Sequence, residues 1–335
     1  MKRLALITLT VLFPLRAALA EPIPGYDRLE ITTDHRARPV AATIWYPAGD
    51  TTYRVPVGDG PIIQPVAAFM GPRIPEGRHK LVLLSHGSGG NAHSLGWLSA
   101  GLVARGAIVL AVNHPGSTSG DSSPRRSIDL AARARDLSAA LDHVLADPNF
   151  ASHVNPGQIR VVGFSLGGTT ALGLAGIRFD GLTQDRRCAS APAAADCGFF
   201  QKGGVRFADS PGFVADVRDG RVTAAVAVDP GFGWAATSDS ITTALSGIAL
   251  ITLGEGADRL PATDVGPDGS DLARRLPDAA YTVVAPATHF TFLGLCQPGA
   301  AEVLAAKGHD PVCTDPDGVD RASTHTRLIA DALGL

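Results

Sequence analysis

Short apolar runs alternate with helix-like segments along most of the chain. After about residue 80 the apolar runs fall at 81–85, 107–112, 159–163, 222–228, 248–253 and 281–285. Runs of this length are typical of strands buried on both faces. Helical patterns separate them, most clearly over 128–145 and 169–175. The alternation predicts an α/β fold with a mostly parallel central sheet and helices on both faces.

Two regions depart from this alternation. Near the start, residues 29–33 and 40–45 predict an antiparallel strand pair, and the Pro- and Gly-rich residues 47–80 predict a loop. Further on, residues 177–221 form a longer connection than two elements need. We expect this stretch to be an inserted lid over the functional site, with a decorated surface loop as the alternative.

The first 20 residues have the pattern of an export signal. Lys2 and Arg3 precede an apolar run over 4–15, and Ala18-Leu19-Ala20 matches a small-residue cleavage site. The run is too short to span a bilayer comfortably, so we expect no stable membrane insertion. The pattern predicts a signal peptide over 1–20 and an exported domain over 21–335, located in the periplasm or secreted.

Composition agrees with one folded domain that acts on a small molecule. The 335 residues are 45% hydrophobic and 18% charged, which is enough apolar material for a full core. The net charge is only −3, without a long run of either sign. This charge distribution argues against a nucleic-acid partner and leaves the oligomeric state open.

The four cysteines form two close pairs in sequence. Cys188 lies near Cys197, and Cys296 lies near Cys313. Four cysteines allow three connectivities, of which local pairing is the simplest. The spacing does not suit a metal site, so we expect the disulfides Cys188–Cys197 and Cys296–Cys313, with four buried thiols as the alternative.

The segment GFSLG at 163–167 has the context of a catalytic nucleophile. It directly follows an apolar strand and directly precedes a helical pattern. A Gly-x-Ser-x-Gly turn between strand and helix holds its serine in a strained conformation that exposes the hydroxyl. We predict Ser165 as the nucleophile, with a simple helix N-cap as the alternative reading.

A glycine-rich turn at 86–90, HGSGG, follows the first central strand. Acyl transfer builds negative charge on the substrate carbonyl, and main-chain N–H groups must already point toward it. We predict the amides of Ser88 and Leu166 as the oxyanion hole. His86 is expected to brace this loop, and His114 to shape the pocket.

A serine hydroxyl needs a base, and the base needs an orienting acid. His289 follows the last strand, in the position where this order of elements supplies the base. Two acids compete for the third role. Asp229 directly follows a strand and precedes Pro230, whereas Asp258 lies in a Gly-rich loop after the next strand. A strand end holds a carboxylate more firmly than a Gly-rich loop does, which favours Asp229. Asp258 stays the alternative acid.

Together these segments resemble the α/β-hydrolase superfamily, and within it the dienelactone hydrolases and the platelet-activating-factor acetylhydrolase-like esterases. The resemblance rests on TIWYP at 43–47, HGSGG, AVNHPGS at 111–117, GFSLGG, VDPGFG at 228–233 and ATHFTFL at 287–293. It implies an α/β-hydrolase fold and a Ser165, His289 and Asp229 triad. The nucleophile position holds serine where dienelactone hydrolases have cysteine.

We therefore expect an exported serine hydrolase that cleaves small carboxylic esters through an acyl-enzyme. This chemistry requires neither a metal ion nor an organic cofactor. An amidase, a peptidase or a polyester hydrolase would use the same triad. A binding module without activity is the alternative outside enzymes, and the intact triad argues against it.

Overall fold

The computed structural model describes residues 22–276 and 278–333. The predicted signal peptide over 1–20 lies outside the described residues. Within them, no helix is both long enough and apolar enough to cross a membrane.

A ten-stranded mixed sheet forms the centre of the molecule, with strand order β12-β11-β10-β9-β5-β6-β2-β1-β4-β3. Two further short strands pair only with each other. Six neighbouring strands, from β12 to β6 in this order, run parallel. The strands are β1 (Gly25–Ile31), β2 (Val40–Tyr46), β3 (Tyr53–Val57), β4 (Val66–Met70), β5 (His79–Ser85), β6 (Ile108–Val112), β7 (Ser117–Thr118), β8 (Asp121–Ser122), β9 (Val154–Phe164), β10 (Val222–Val228), β11 (Ile248–Leu253) and β12 (Ala280–Val284).

The N-terminal strands extend this sheet and correct one expectation. β1 and β2 pair antiparallel, as the sequence predicts, and β2 joins the parallel part through β6. The loop predicted over 47–80 is wrong, because it contains β3 and β4. β3 is an edge strand with mostly exposed side chains. Pro56 is tolerated there because its missing N–H removes no hydrogen bond from the interior of the sheet. Exposure removes the alternating apolar pattern by which a strand is recognised.

Helices cover both faces of the sheet. They are α1 (Gly96–Val103), α2 (Pro124–Ser127), α3 (Leu130–Ala146), α4 (Leu166–Leu174), α5 (Gly181–Ser190), α6 (Ala195–Lys202), α7 (Pro211–Val214), α8 (Ser238–Thr243), α9 (Leu272–Arg275), α10 (Ala300–Ala306) and α11 (Arg321–Leu333).

Alternate residues of one strand pack into two separate cores. Along β5, Leu81 and Leu83 join the core under α3 and α4, whereas Val82 and Leu84 join the core under α1 and α11. Successive side chains of a strand point to opposite faces, so a strand covered on both sides must be apolar throughout. This explains why the central strands are continuous apolar runs.

The long connection over 177–221 folds into α5, α6 and α7 on the core under α3 and α4. A cluster of phenylalanines anchors it, comprising Phe179, Phe200, Phe207, Phe213 and Phe232. The four cysteines pair as Cys188–Cys197, between α5 and α6, and Cys296–Cys313. This is the local pairing that the sequence favours.

Candidate active site

Ser165 lies at a sharp turn between β9 and α4. Its backbone has φ 55° and ψ −121°, a conformation that side chains rarely adopt. Its N–H donates to the carbonyl of Val228 at 2.9 Å, which ties the turn to β10. A Cβ on Gly163 would lie 1.9 Å from the Gly167 carbonyl oxygen, and one on Gly167 would lie 2.0 Å from that of Ser85. Both glycines are therefore required for the turn to close.

His289 begins a short 3₁₀-helix, His289–Phe292, that follows β12. Its ring packs beside that of Phe164, with centroids 4.6 Å apart. Nδ1 lies 2.8 Å from Oδ2 of Asp229, so a carboxylate fixes this edge of the imidazole. His289 and Ser165 line the same cavity, and no hydrogen bond joins them among the described residues.

Asp229 is fully buried immediately after β10. Its Oδ1 accepts a hydrogen bond from the Leu253 N–H at 2.7 Å, which leaves Oδ2 for His289. Burial raises the pKa of Asp229, against the opposing effect of the hydrogen bonds from His289 and Leu253. Asp258, the alternative acid, is exposed in a short 3₁₀-turn, and within the described chain it forms no hydrogen bond to His289.

The two predicted oxyanion-hole residues lie near Ser165. Leu166 follows Ser165 as the first residue of α4, where main-chain N–H groups have no partner within the helix. Ser88 lies in the turn after β5 and lines the cavity that contains Ser165. Neither amide donates a hydrogen bond within the described part of the chain. Both amides therefore stay candidates for the predicted oxyanion hole.

A cavity of about 670 Å³ opens above Ser165 and His289. Its lining includes the glycine-rich turn 87–91, residues 58–63, parts of 304–312, and Phe164, Phe290 and Leu293. No residue of 177–221 lines it. The lid expected from this segment is therefore not formed over the cavity, and its helices pack against the sheet because their phenylalanines are buried there.

The sequence profile of the alpha/beta hydrolase family matches residues 81–322. This chain belongs to the alpha/beta hydrolase family. No curated protein matches the sequence of this hydrolase.

Two solved structures are similar to the hydrolase at low sequence identity. A ferulic acid esterase from Streptomyces cinnamoneus is 17% identical, with a TM-score of 0.55, over 95% of this chain and 91% of that one. A dienelactone hydrolase from Anabaena variabilis is 15% identical over 85% of this chain and 95% of that one, with a TM-score of 0.45. The first of these similarities supports the shared fold.

Beneath the site of this hydrolase lies a buried cation that the sequence analysis missed. Arg133 of α3 is 1% exposed and donates to the His86 carbonyl at 2.5 Å. It also donates to the hydroxyls of Ser85, Ser117 and Thr170. Burial lowers the pKa of Arg133 to about 9, so the guanidinium stays charged at neutral pH. Arg133 thus joins α3 to the glycine-rich turn and to α4.

Asp136 lies about one helical turn after Arg133 on α3 and is also buried. It binds a second group of side chains in this network. It accepts hydrogen bonds from Arg36 and from Nδ1 of His114, and it lies 2.8 Å from Nε2 of His35. Burial alone would raise the pKa of Asp136, but the hydrogen bonds from His114 and Arg36 hold it below its usual range. The carboxylate therefore stays charged.

Two buried histidines complete the link to the turn. Burial lowers the pKa of His114 to about 4, so this ring is neutral and its Nε2 accepts from the Ser85 hydroxyl at 2.9 Å. Burial also lowers the pKa of His86 well below its usual range. Its Nδ1 donates to the Gly87 carbonyl, and its Nε2 accepts from the His114 N–H. His86 thus braces the turn as the sequence predicts.

A signal for this network exists in the sequence. Arg133 and Asp136 are separated by three positions within an apolar helical pattern, so both fall on the face that a helix buries. Charged residues are almost never fully buried without partners. A buried charged pair in a helix behind the nucleophile strand therefore predicts a polar network, although not its partners.

Proposed function

We propose that this hydrolase cleaves carboxylic esters through Ser165, His289 and Asp229. The observation that carries the proposal is the 2.8 Å contact between His289 and a buried Asp229, in a cavity that also contains Ser165 on its strained turn. Family membership supports hydrolysis. The Streptomyces protein that shares the fold is an esterase, which is in keeping with an ester substrate.

The proposed reaction uses each group in one role. His289 takes the proton of the Ser165 hydroxyl as its oxygen attacks the ester carbonyl, and Asp229 holds the imidazole in the required tautomer. The amides of Ser88 and Leu166 bind the developing oxyanion. His289 then protonates the leaving alcohol, and water hydrolyses the acyl-enzyme by the same steps.

We also propose that residues 1–20 are a signal peptide and that the enzyme acts as a single exported domain over 21–335. Two disulfides support an oxidising compartment, because such bonds persist mainly in exported proteins. N-terminal sequencing of protein from the exported fraction tests this proposal. A mature chain that still begins at Met1 would contradict it.

A fluorophosphonate probe tests the catalytic proposal. We expect the probe to label Ser165 in the wild-type protein. The variant Ser165→Ala should lose both labelling and ester hydrolysis, and it should stay folded because the change removes only one oxygen. Ser190→Ala, which changes an exposed serine on α5, is the matched control. Near wild-type turnover in Ser165→Ala would overturn the proposal, and a panel of esters, amides, peptides and polyesters separates the alternatives.

A further inference from the structure

Two segments far apart in sequence, 58–63 and 304–312, contribute both apolar and ionisable side chains to the cavity, the latter from Asp59, His309 and Asp310. We propose that the apolar side chains of Ile62, Ile63, Leu304 and Val312 form a wall that binds an apolar acyl or alkyl chain of several carbons on the ester. This inference rests on the proposed function. It also assigns to the Cys296–Cys313 disulfide the role of holding the wall in place.

The parts of the cavity lining differ in chemistry. Ile62 and Ile63 contribute apolar side chains from one segment, and Leu304 and Val312 contribute them from the other. The lining also includes the turn 87–91, which consists of glycines, Ser88 and Asn91. A substrate with its carbonyl at this polar turn would place an attached hydrocarbon chain against the apolar wall, where burial is favourable.

Main-chain hydrogen bonds join the segment 58–63, with the following Gln64, to the chain around Cys296. The Gln64 N–H donates to the Leu295 carbonyl at 2.7 Å, and the Gln297 N–H donates to the Ile62 carbonyl at 2.8 Å. Ile63 and Cys296 form an antiparallel bridge between these bonds. The position of Ile62 and Ile63 in the cavity is therefore set by the chain around Cys296.

The Cys296–Cys313 disulfide closes the loop that contains the segment 304–312. Cys313 follows Val312 directly and returns the chain to Cys296. The buried Arg321 supports the same closure, because it donates to the Val312 carbonyl at 2.9 Å and to the Gly294 carbonyl at 3.1 Å. The segments 58–63 and 304–312 are therefore both held in place near the Cys296–Cys313 disulfide.

Apart from the disulfide and the Arg321 hydrogen bonds, the segment 304–312 has few buried contacts. Leu304 is buried, but residues 305–311 are exposed, and α10 has only two buried residues. Segments with few buried contacts open at low free-energy cost. Without the disulfide we expect the wall to move away from the cavity, while Ser165, Asp229 and His289 keep their places on other elements.

Substrate chain length provides the test. The rate constants kcat/KM are measured for p-nitrophenyl esters from acetate to octanoate and, in a second series, for acetates of alcohols from methanol to octanol. The series in which kcat/KM rises with length identifies the acyl or the alkyl chain as the group bound. The disulfide variant Cys296→Ser/Cys313→Ser should lower the long-to-short ratio about tenfold in that series.

The second disulfide is the matched control. Cys188→Ser/Cys197→Ser removes a bond of the same type from a segment that does not line the cavity, so its long-to-short ratio should equal that of the wild type. Because the result is a ratio of two rates, partial loss of folded protein affects both substrates equally.

A point variant tests the wall without altering a covalent bond. Leu304→Ala should lower the long-to-short ratio about tenfold, since it removes apolar contact area from the chain-binding surface. Val303→Ala changes a partly exposed neighbour on α10 and should keep the wild-type ratio.

If esters are hydrolysed but neither Leu304→Ala nor the disulfide variant lowers the ratio, the wall assignment is wrong. If the protein neither reacts with a fluorophosphonate nor hydrolyses the acetate, the proposed function itself fails.

Discussion

The guanidinium of Arg133 donates a 2.5 Å hydrogen bond to the carbonyl of His86, the first residue of the turn that carries Ser88. A charged donor makes a stronger bond than a neutral one, and this one is shielded from water. The contact places a cation of α3 directly behind the proposed oxyanion hole. It links the position of the Ser88 amide to the packing of a helix.

Arg133→Lys should therefore lower kcat more than it raises KM. Lysine keeps the charge but cannot bond the His86 carbonyl and three hydroxyls together, so the turn loses its fixed position. A shift of about 1 Å in such a group costs on the order of 100-fold in rate. Steady-state kinetics on a short ester measure the effect.

Arg135→Lys is the control for that substitution. Arg135 lies on the same helix and bonds only to the carbonyl of the preceding turn among the described residues. Its kinetics should match those of the wild type. If Arg133→Lys lowers thermal stability while kcat of the folded protein stays at the wild-type value, Arg133 has a structural role only.

The acid of the triad can be assigned by comparing two variants. Asp229→Asn should reduce turnover on the order of 10⁴-fold, because the amide leaves His289 in the wrong tautomer. Asp258→Asn should have a small effect, since the Asp258 side chain is exposed. Turnover of both variants is measured on one ester. A severe loss in Asp258→Asn with a mild loss in Asp229→Asn would assign the acid to Asp258.

We expect His325 to make the folding stability decrease at acidic pH. Its Nε2 donates to the carbonyls of Thr291 and Leu293, its ring stacks on Trp97, and burial lowers its pKa to about 4. The unfolded chain binds a proton at this ring below about pH 6.5, so it holds more protons than the folded protein between about pH 6.5 and 4. Stability should therefore be complete above pH 6.5 and fall as the pH decreases toward 4.

The contribution of His325 to that fall is at most about 3 kcal/mol. Urea denaturation at pH 7 and pH 4.5 measures it. His325→Gln should be less stable at pH 7 but should lose less stability on acidification. His143→Gln, which replaces an exposed histidine of α3, controls for the substitution. An unchanged acid dependence in His325→Gln would show that this ring is not the source.

The Cys188–Cys197 bond should contribute mainly to stability. It closes a loop with a sequence separation of 9, for which the loss of chain entropy predicts about 2–3 kcal/mol. Urea denaturation of Cys188→Ser/Cys197→Ser measures the contribution, and peptide mapping without reductant checks both pairings. Four free thiols in protein from the exported fraction would contradict the pairing and weaken the proposal of export.

Local sequence was sufficient for the parallel part of the sheet and for the strained serine turn. Strands buried on both faces are continuous apolar runs. The turn between β9 and α4 needs glycine at 163 because of its own backbone, whereas glycine at 167 is needed because the Ser85 carbonyl of β5 lies against it. The positions of His289 and both candidate acids after parallel strands place them at one edge of the sheet, where the carboxyl ends of such strands meet.

Local sequence was not sufficient for β3 and β4, the buried network or the cavity wall. β3 lies at the sheet edge with exposed side chains, and β4 is a short apolar run of mostly half-buried residues, so neither shows the alternation of a strand with one buried face. The partners of Arg133 come from three separate elements, and a helical pattern shows only that the residue is buried.

The amino-acid sequence by itself determined the fold class, the nucleophile turn and the candidate triad, because each depends on short-range sterics or on the period of burial. Only the tertiary structure decided that Asp229 rather than Asp258 contacts His289, that 177–221 lies away from the cavity, and that residues 58–63 meet the loop closed by Cys296 and Cys313. These relationships join residues far apart in the chain, and their geometry depends on how complete elements pack against one another.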